Sequence, residues 1–569
     1  MAMSDVLADR LRAWPRQMRR LIARDADPAT VVIHIAVLAI VALVVLPVVT
    51  ILVLSATSDW RAWPHLLQSV LPKALVGTVL LLGGMAAVTS IVGTATAWLV
   101  TMYRFPGREM ADRLLVLPLA IPTYIVAYAY VELLDYAGPV QSALRGLLGV
   151  SSPRDYWFPD VRSTGGAVLV LSAVLYPYVY LTARASFVQQ SVCALEVART
   201  LGRTPLGVLF DVALPLARPA IAAGTALVMM EGLNDLGAVQ HLGVETLSAA
   251  IYTTWLQRGS LGGALQIAAF LVVVVLALVA FERAQRSGRY HNTTGRFRAI
   301  PFQDLDGWRG WAALAACLVP VGLGFAVPIA VLIANAWSAG SAAFGDGFWI
   351  AARNSVLLSA AAAVFAVAAA TLIAYAERTV GSLAIRRAAR VAGLGYALPG
   401  TLLALGLMVP LAAFDNALDG VLRRNLGFGI GLLLSGSLVA LGLAFVIRFL
   451  AVALGAVESG LSRVSPNLDA AARTLGAGSL ETLVRVHLPM LVPSLGAAAL
   501  LVFVDGMKEL PATLLLRPFN FNTLATEVYN LTALEQTEMA AVGALAIVLV
   551  GLIPVLLLHR AVAGGRSGS

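Results

Sequence analysis

Six polar residues set inside long apolar stretches are the first candidates for chemistry in this sequence. Glu231, Asn234 and Asp235 interrupt one stretch, and Asp505, Lys508 and Glu509 interrupt another, each member of the second set lying 274 residues after its counterpart. Ionisable groups in hydrocarbon are costly, so they usually line a polar path or pair with one another. Helical spacing puts Asp505 and Lys508, three apart, and Glu231 and Asp235, four apart, on shared faces. Two readings stay open: a polar gate or vestibule along a path, with Lys508 facing Glu231 and Asp235, or a buried ion pair that fixes packing.

Other chemistries find no residues to carry them. A phosphate-binding loop of the form G-x-x-x-x-G-K-[ST] needs a lysine in a set frame. The two lysines, Lys73 and Lys508, are neither preceded by glycine nor followed by Ser or Thr. The six histidines, His34, His65, His241, His291, His487 and His559, are scattered singly, without the spacing of a metal site. Cys193 and Cys317 sit in an expected loop and an expected span, where a disulfide does not normally form. Neither a nucleophile elbow nor a pair of catalytic carboxylates is present, so we expect no catalytic, cofactor or metal site in this chain and no enzymatic activity of its own.

The elements that must position the six residues follow from composition. Of 569 residues 59% are hydrophobic and 12% charged, with a mean hydropathy of +0.84, whereas soluble domains carry about 25% charged residues. Apolar runs of membrane-crossing length imply an all-α polytopic protein. Six are expected near Val31–Leu54, Val76–Val100, Leu114–Leu134, Gly166–Leu181, Ala220–Val239 and Leu261–Phe281, and six more near Trp311–Ala336, Ser355–Tyr375, Val391–Phe414, Ile430–Ile447, Leu491–Leu514 and Met539–Leu558. The first run begins too late for a cleavable signal peptide.

The net charge of +9 does not point to nucleic acid, because the arginines cluster between spans. Arg10, Arg12, Arg16, Arg19, Arg20 and Arg24 precede the first span, and Arg283, Arg286, Arg289, Arg296 and Arg298 separate the two sets of six. Positive charge retained on the cytoplasmic side places both segments there, and twelve crossings return the C-terminus to the same side. The expected divisions are a cytoplasmic N-terminal segment 1–30, a first transmembrane half 31–283, a cytoplasmic linker 284–309, a second transmembrane half 310–560 and a C-terminal tail 561–569.

The halves carry an internal repeat. Ala198-Arg-Thr-Leu-Gly202 recurs as Ala472-Arg-Thr-Leu-Gly476, each followed by Leu-Pro at Leu214-Pro215 and Leu488-Pro489, all at a separation of 274. Both copies follow the fourth span of their half on the same side, which makes parallel repeats with a path between them. Residues 195–201 and 469–475 suit a short helix that Gly202 and Gly476 end with positive φ. Pro215 and Pro489 suit a helix start leading into the fifth span. Glu196 and Asp469 lie where a helix dipole favours an acid, and Asp469 could also cap the helix.

With Glu196 six residues before Gly202 and Pro215 thirteen beyond it, the first copy resembles the EAA loop of ABC-importer permeases, and the chain as a whole resembles their fused two-half type. Both copies depart from the pattern: Val197 stands where a small alanine is expected, and Ala470 occupies the glutamate position, with the acid one residue earlier at Asp469. The resemblance covers a permease core of about 74–282 and about 352–558. It implies that Glu196, Ala198, Gly202 and Pro215, with Asp469, Ala471, Ala472, Gly476 and Pro489, form two cytoplasmic coupling loops. These would dock on a separate ATP-binding subunit, in two copies, which uses the ATP.

The stretch 507–530, Met-Lys-Glu-Leu-Pro-Ala-Thr through Tyr529-Asn530, is similar to fused permeases of ferric-iron importers, as is Leu233–Gln240 followed by Ile251–Trp255. That resemblance implies import of ferric iron delivered by a periplasmic binding protein, across the bilayer of a bacterial inner membrane. Thiamine or another small solute moved by the same machinery is the alternative, and a proton-coupled secondary transporter is a further class that the paired loops argue against.

Overall fold

The computed structural model describes residues 28–61, 63–190, 198, 200–286, 303–429 and 431–564. Helices dominate. The only strands among the described residues are Tyr103–Arg104 and Gln303–Asp304, a two-residue parallel ladder that ties the return from the linker to the end of the second span. The arginine-rich N-terminal segment, Glu196, Cys193 and most of the linker arginines lie outside the described residues.

Among the described residues eleven helices are long and apolar enough to cross a bilayer, and a bent pair, Arg108–Ala120 with Thr123–Leu148, makes a twelfth when counted as one span. This all-helical build is what hydrocarbon demands, since only a helix pairs every backbone donor within its own segment. Several spans differ from expectation. The third is broken by 93°, because Ile121 before Pro122 is extended and proline lacks the N–H that would continue the helix. The ninth begins at Gly400, not Val391, after the separate amphipathic helix Leu383–Ala392. The fifth span of each half stops at Asn234 and Lys508, short of Val239 and Leu514.

Proline shapes the spans in a second way. Pro72, Pro215, Pro328 and Pro489 are each the second residue of an α-helical stretch, and each is preceded by a five-residue π turn, at Leu66–Val70, Leu209–Ala213, Gly322–Ala326 and Leu483–His487. A proline nitrogen cannot donate, so the chain widens by one residue to pass it and the helix continues. Pro215 and Pro489 therefore sit inside longer helices that begin at Pro205 and Ser479, and do not start them.

The described chain packs as two compact units. The larger comprises Pro47–Ser359, Ala397–Ala444 and Val504–Ser569. Its core gathers Trp98, Met102, Leu115, Tyr176, Tyr180, Phe187 and Val555. A Cβ on Gly93 would lie 2.8 Å from the Tyr180 nitrogen, so the second and fourth spans meet backbone to backbone, as small residues permit in membranes. The smaller unit, 28–46 with Ala360–Tyr396 and Phe445–Phe503 among the described residues, holds the helix Pro466–Thr474 and the span ends around it.

Candidate functional site

The repeated Ala-Arg-Thr-Leu-Gly segments fold alike. Gly202 and Gly476 both have φ of 83°, and the next residue donates back across the glycine: Arg203 N to Ala198 O at 3.1 Å, and Ala477 N to Ala472 O at 3.0 Å. This six-to-one bond around a left-handed residue is the Schellman ending of a helix, which pairs a carbonyl the helix leaves open. Ala198 and Ala472 are buried, while the leucine just before each glycine is thrown outward, Leu201 at 78% and Leu475 at 87% exposure. The same exposed leucine thus stands at the same place in both copies.

Asp469 is not the cap. The second helix begins at Pro466, three residues earlier than expected, since proline suits the first helical position. Ser465 accepts from Asn467 N at 3.3 Å in the capping role. The Asp469 carboxylate instead takes Arg378 Nε at 2.8 Å and His487 Nε2 at 2.5 Å. Arg378 also donates to Leu461 O and Ser465 O, and Tyr375 donates to Ser479 O at 2.6 Å. One carboxylate thus ties the loop to the eighth span and to the start of the eleventh. Ala471 is exposed on the same short helix.

The fifth-span charges divide into two kinds. Asp235 Oδ1 accepts from Ala238 N at 2.9 Å, and Glu509 Oε1 accepts from Ala512 N at 3.0 Å. The separation of 274 is kept by both acids and both donors. Each acid secures the first turn of a short helix after the span, Gly237–His241 or Pro511–Leu516. Asp235 has left the span helix, with ψ of 97°, so the face expected to be shared with Glu231 is lost.

Lys508, by contrast, donates from Nζ to Leu119 O at 3.0 Å, at the break of the third span, with Asp505 and Glu231 in electrostatic reach. Glu231 of the first half and Lys508 of the second are thereby brought together. Asn234, the last residue of its helix, is buried beside them in sequence.

Beyond the fifth spans, at the end away from the loops, the halves repeat another set of contacts. Thr78 Oγ1 accepts from Leu247 N at 3.0 Å, and Ser355 Oγ accepts from Leu524 N at 2.7 Å. These equivalents lie 277 residues apart. So do Tyr252 and Tyr529, which adjoin each other. The Tyr529 hydroxyl donates to Gln240 Oε1 at 2.8 Å, and all three line a cavity of about 620 Å³. Among the described residues no group of three or more His, Cys, Asp and Glu side chains could hold a metal ion. Both tyrosines fall in the stretches quoted from the sequence, but their equivalence escaped it because the change of separation from 274 to 277 hides them from a comparison at one offset. Arg378 and His487 carried no local signal at all.

Comparison with known proteins agrees with the duplicated architecture. The family model for the binding-protein-dependent transport system inner membrane component matches twice, over residues 90–287 and 378–566. The chain is 24% identical over 495 residues to the Fe(3+)-transport system permease protein FbpB 2 of Haemophilus influenzae, covering 86% of this chain and 90% of that one. It is 29% identical over 194 residues to the molybdenum transport system permease protein ModB of Escherichia coli, covering 33% of this chain and 80% of that one. Two matched modules, with eleven or twelve apolar helices among the described residues, mean that this protein belongs to the family of binding-protein-dependent transport system inner membrane components, as a fused, multi-pass ABC-importer permease of the inner membrane.

Proposed function

We propose that the chain imports ferric iron, that its two Gly202 and Gly476 loops couple it to a separate ATP-binding subunit, and that a periplasmic protein delivers the cargo. The observation that carries coupling is the twinned loop: the same Schellman ending in both halves, each presenting an outward leucine. A single exposed leucine is ordinary; what supports the reading is that the same ending and the same outward leucine recur in both halves. The iron assignment is supported by the near full-length similarity to the Haemophilus influenzae permease. The partial similarity to a molybdenum permease favours molybdenum as second reading. On this reading both termini and both loops face the cytoplasm, and Glu231, Asp505 and Lys508 border the path, while Asp235 and Glu509 hold the chain that turns beside it.

The test is ATP hydrolysis by the chain reconstituted with its ATP-binding subunit and binding protein, with and without ferric iron, beside a Gly202→Val/Gly476→Val chain. Stimulation by iron-loaded binding protein that the double variant abolishes is the expected result. Loop-dependent hydrolysis indifferent to iron would remove the iron assignment, and hydrolysis indifferent to the loops would remove the coupling.

A further inference from the structure

The cavity of about 620 Å³ beside Tyr252 and Tyr529 has a composition that speaks to what can enter it. It lies at the end of the fifth span opposite the Gly202 loop, because the span runs from Leu209 to Asn234 and the lining residues from Val239 to Arg258 follow it. Its wall includes Lys73 and Arg258 but one carboxylate, Glu245, along with the tyrosines and Gln240. Clefts lined by an excess of one charge concentrate the opposite ion. A bare hard cation, which prefers oxygen ligands and above all carboxylates, would meet two like charges and a single acid.

The tyrosines strengthen the case against metal ligation. The phenol of Tyr529 is pushed up to about 12, by burial first and then by Tyr252 beside it, so near neutral pH it is a hydroxyl and not a phenolate. Its proton is committed to Gln240. The Arg517 guanidinium is within electrostatic reach of Tyr252. Equivalent residues of both repeats, Tyr252 and Tyr529, therefore meet at this wall.

We propose that this cavity is the outer receiving site and that the cargo it accepts is anionic, either a free oxyanion or a metal ion enclosed in an anionic complex. The inference rests on the importer reading above and narrows it: if iron is carried, it arrives at the permease as an anionic chelate. Lys73 and Arg258 select the charge, and the Tyr252, Tyr529 and Gln240 wall joins the halves.

The test is equilibrium dialysis of the full chain in lipid nanodiscs against ferric citrate, inorganic phosphate and molybdate, with lanthanum ions as the bare trivalent cation. At least one anionic probe should bind saturably. Lys73→Glu/Arg258→Glu should weaken it about tenfold or more, and Lys73→Arg/Arg258→Lys should restore it, which a merely structural role would not predict. Ferric citrate alone would assign the chelate, and phosphate or molybdate would assign the free oxyanion. Saturable lanthanum binding without anion binding, anion binding blind to the charge reversal, or no binding of any probe would overturn the proposal. Because dialysis needs no ATP-binding subunit, anion binding by a chain that fails in ATP-driven uptake would keep the anion site and remove its role in receiving cargo, whereas uptake without anion binding would remove the anion site and keep the importer.

Discussion

Replacing Gly476 or Gly202 isolates the backbone contribution of the loops. At both positions φ is 83°, and no atom lies within 4 Å of where a Cβ would stand. An added methyl therefore clashes with nothing but its own backbone, and the cost is that of a left-handed L-residue, roughly 1–2 kcal/mol. A shift of that size changes the balance between a closed and an opened helix ending by a factor of about 5–30. Asparagine tolerates this conformation better than alanine, and valine worse. Activity and order should fall as Gly, Asn, Ala, Val. The local readout is hydrogen exchange at the amides of Arg203 and Ala477, whose N–H groups make the six-to-one bonds, and the functional readout is ATP hydrolysis by the assembled transporter. Unchanged exchange in the valine variants would refute the backbone argument. An equal loss with Asn and Val would show that the space beside the glycine matters, not its φ.

Three other expectations follow from named contacts. Asp469→Ala leaves the mostly buried Arg378 without its carboxylate while two carbonyls still hold it, a loss of about 1–3 kcal/mol. Thermal unfolding in detergent should show it, with Asp469→Asn milder, and an unchanged midpoint for Asp469→Ala would mean the node bears no load. Lys508→Met removes the donor to Leu119 O and should slow uptake in proteoliposomes while the chain stays folded; wild-type uptake would leave Lys508 no role in the path. His241 is held down to about 4, by burial and then by Arg162, and packs against the Tyr128 ring at 4.5 Å. Since its folded value lies below the ordinary 6.5, its contribution is whole above that value. Stability should then fall as pH drops from about 6.5 towards 4, by up to about 1.4 kcal/mol per pH unit, and His241→Gln should flatten the melting curve over that window.

Much of the architecture was legible because membrane physics leaves few options. Apolar runs of sufficient length must be helices, so the number of spans, their order and the duplication could be read from spacing alone. The Ala-Arg-Thr-Leu-Gly repeat was equally plain, since positive φ at a helix end requires glycine and glycine announces itself. Breaks were harder. Pro122 bends the third span sharply, whereas Pro72, Pro215, Pro328 and Pro489 are absorbed by π turns. The residue type is the same and the surroundings decide.

What the sequence by itself determined was an inner-membrane permease of two repeated halves, with a matched loop in each and matched charges in each fifth span. Only the tertiary structure decided what those charges do, because a carboxylate's role depends on which donor reaches it. It sent Asp235 and Glu509 to backbone amides, brought Lys508 to Leu119 and towards Glu231, and turned Asp469 inward to Arg378 and His487. It also placed Tyr252 beside Tyr529, a juxtaposition between distant segments that only the folded chain creates.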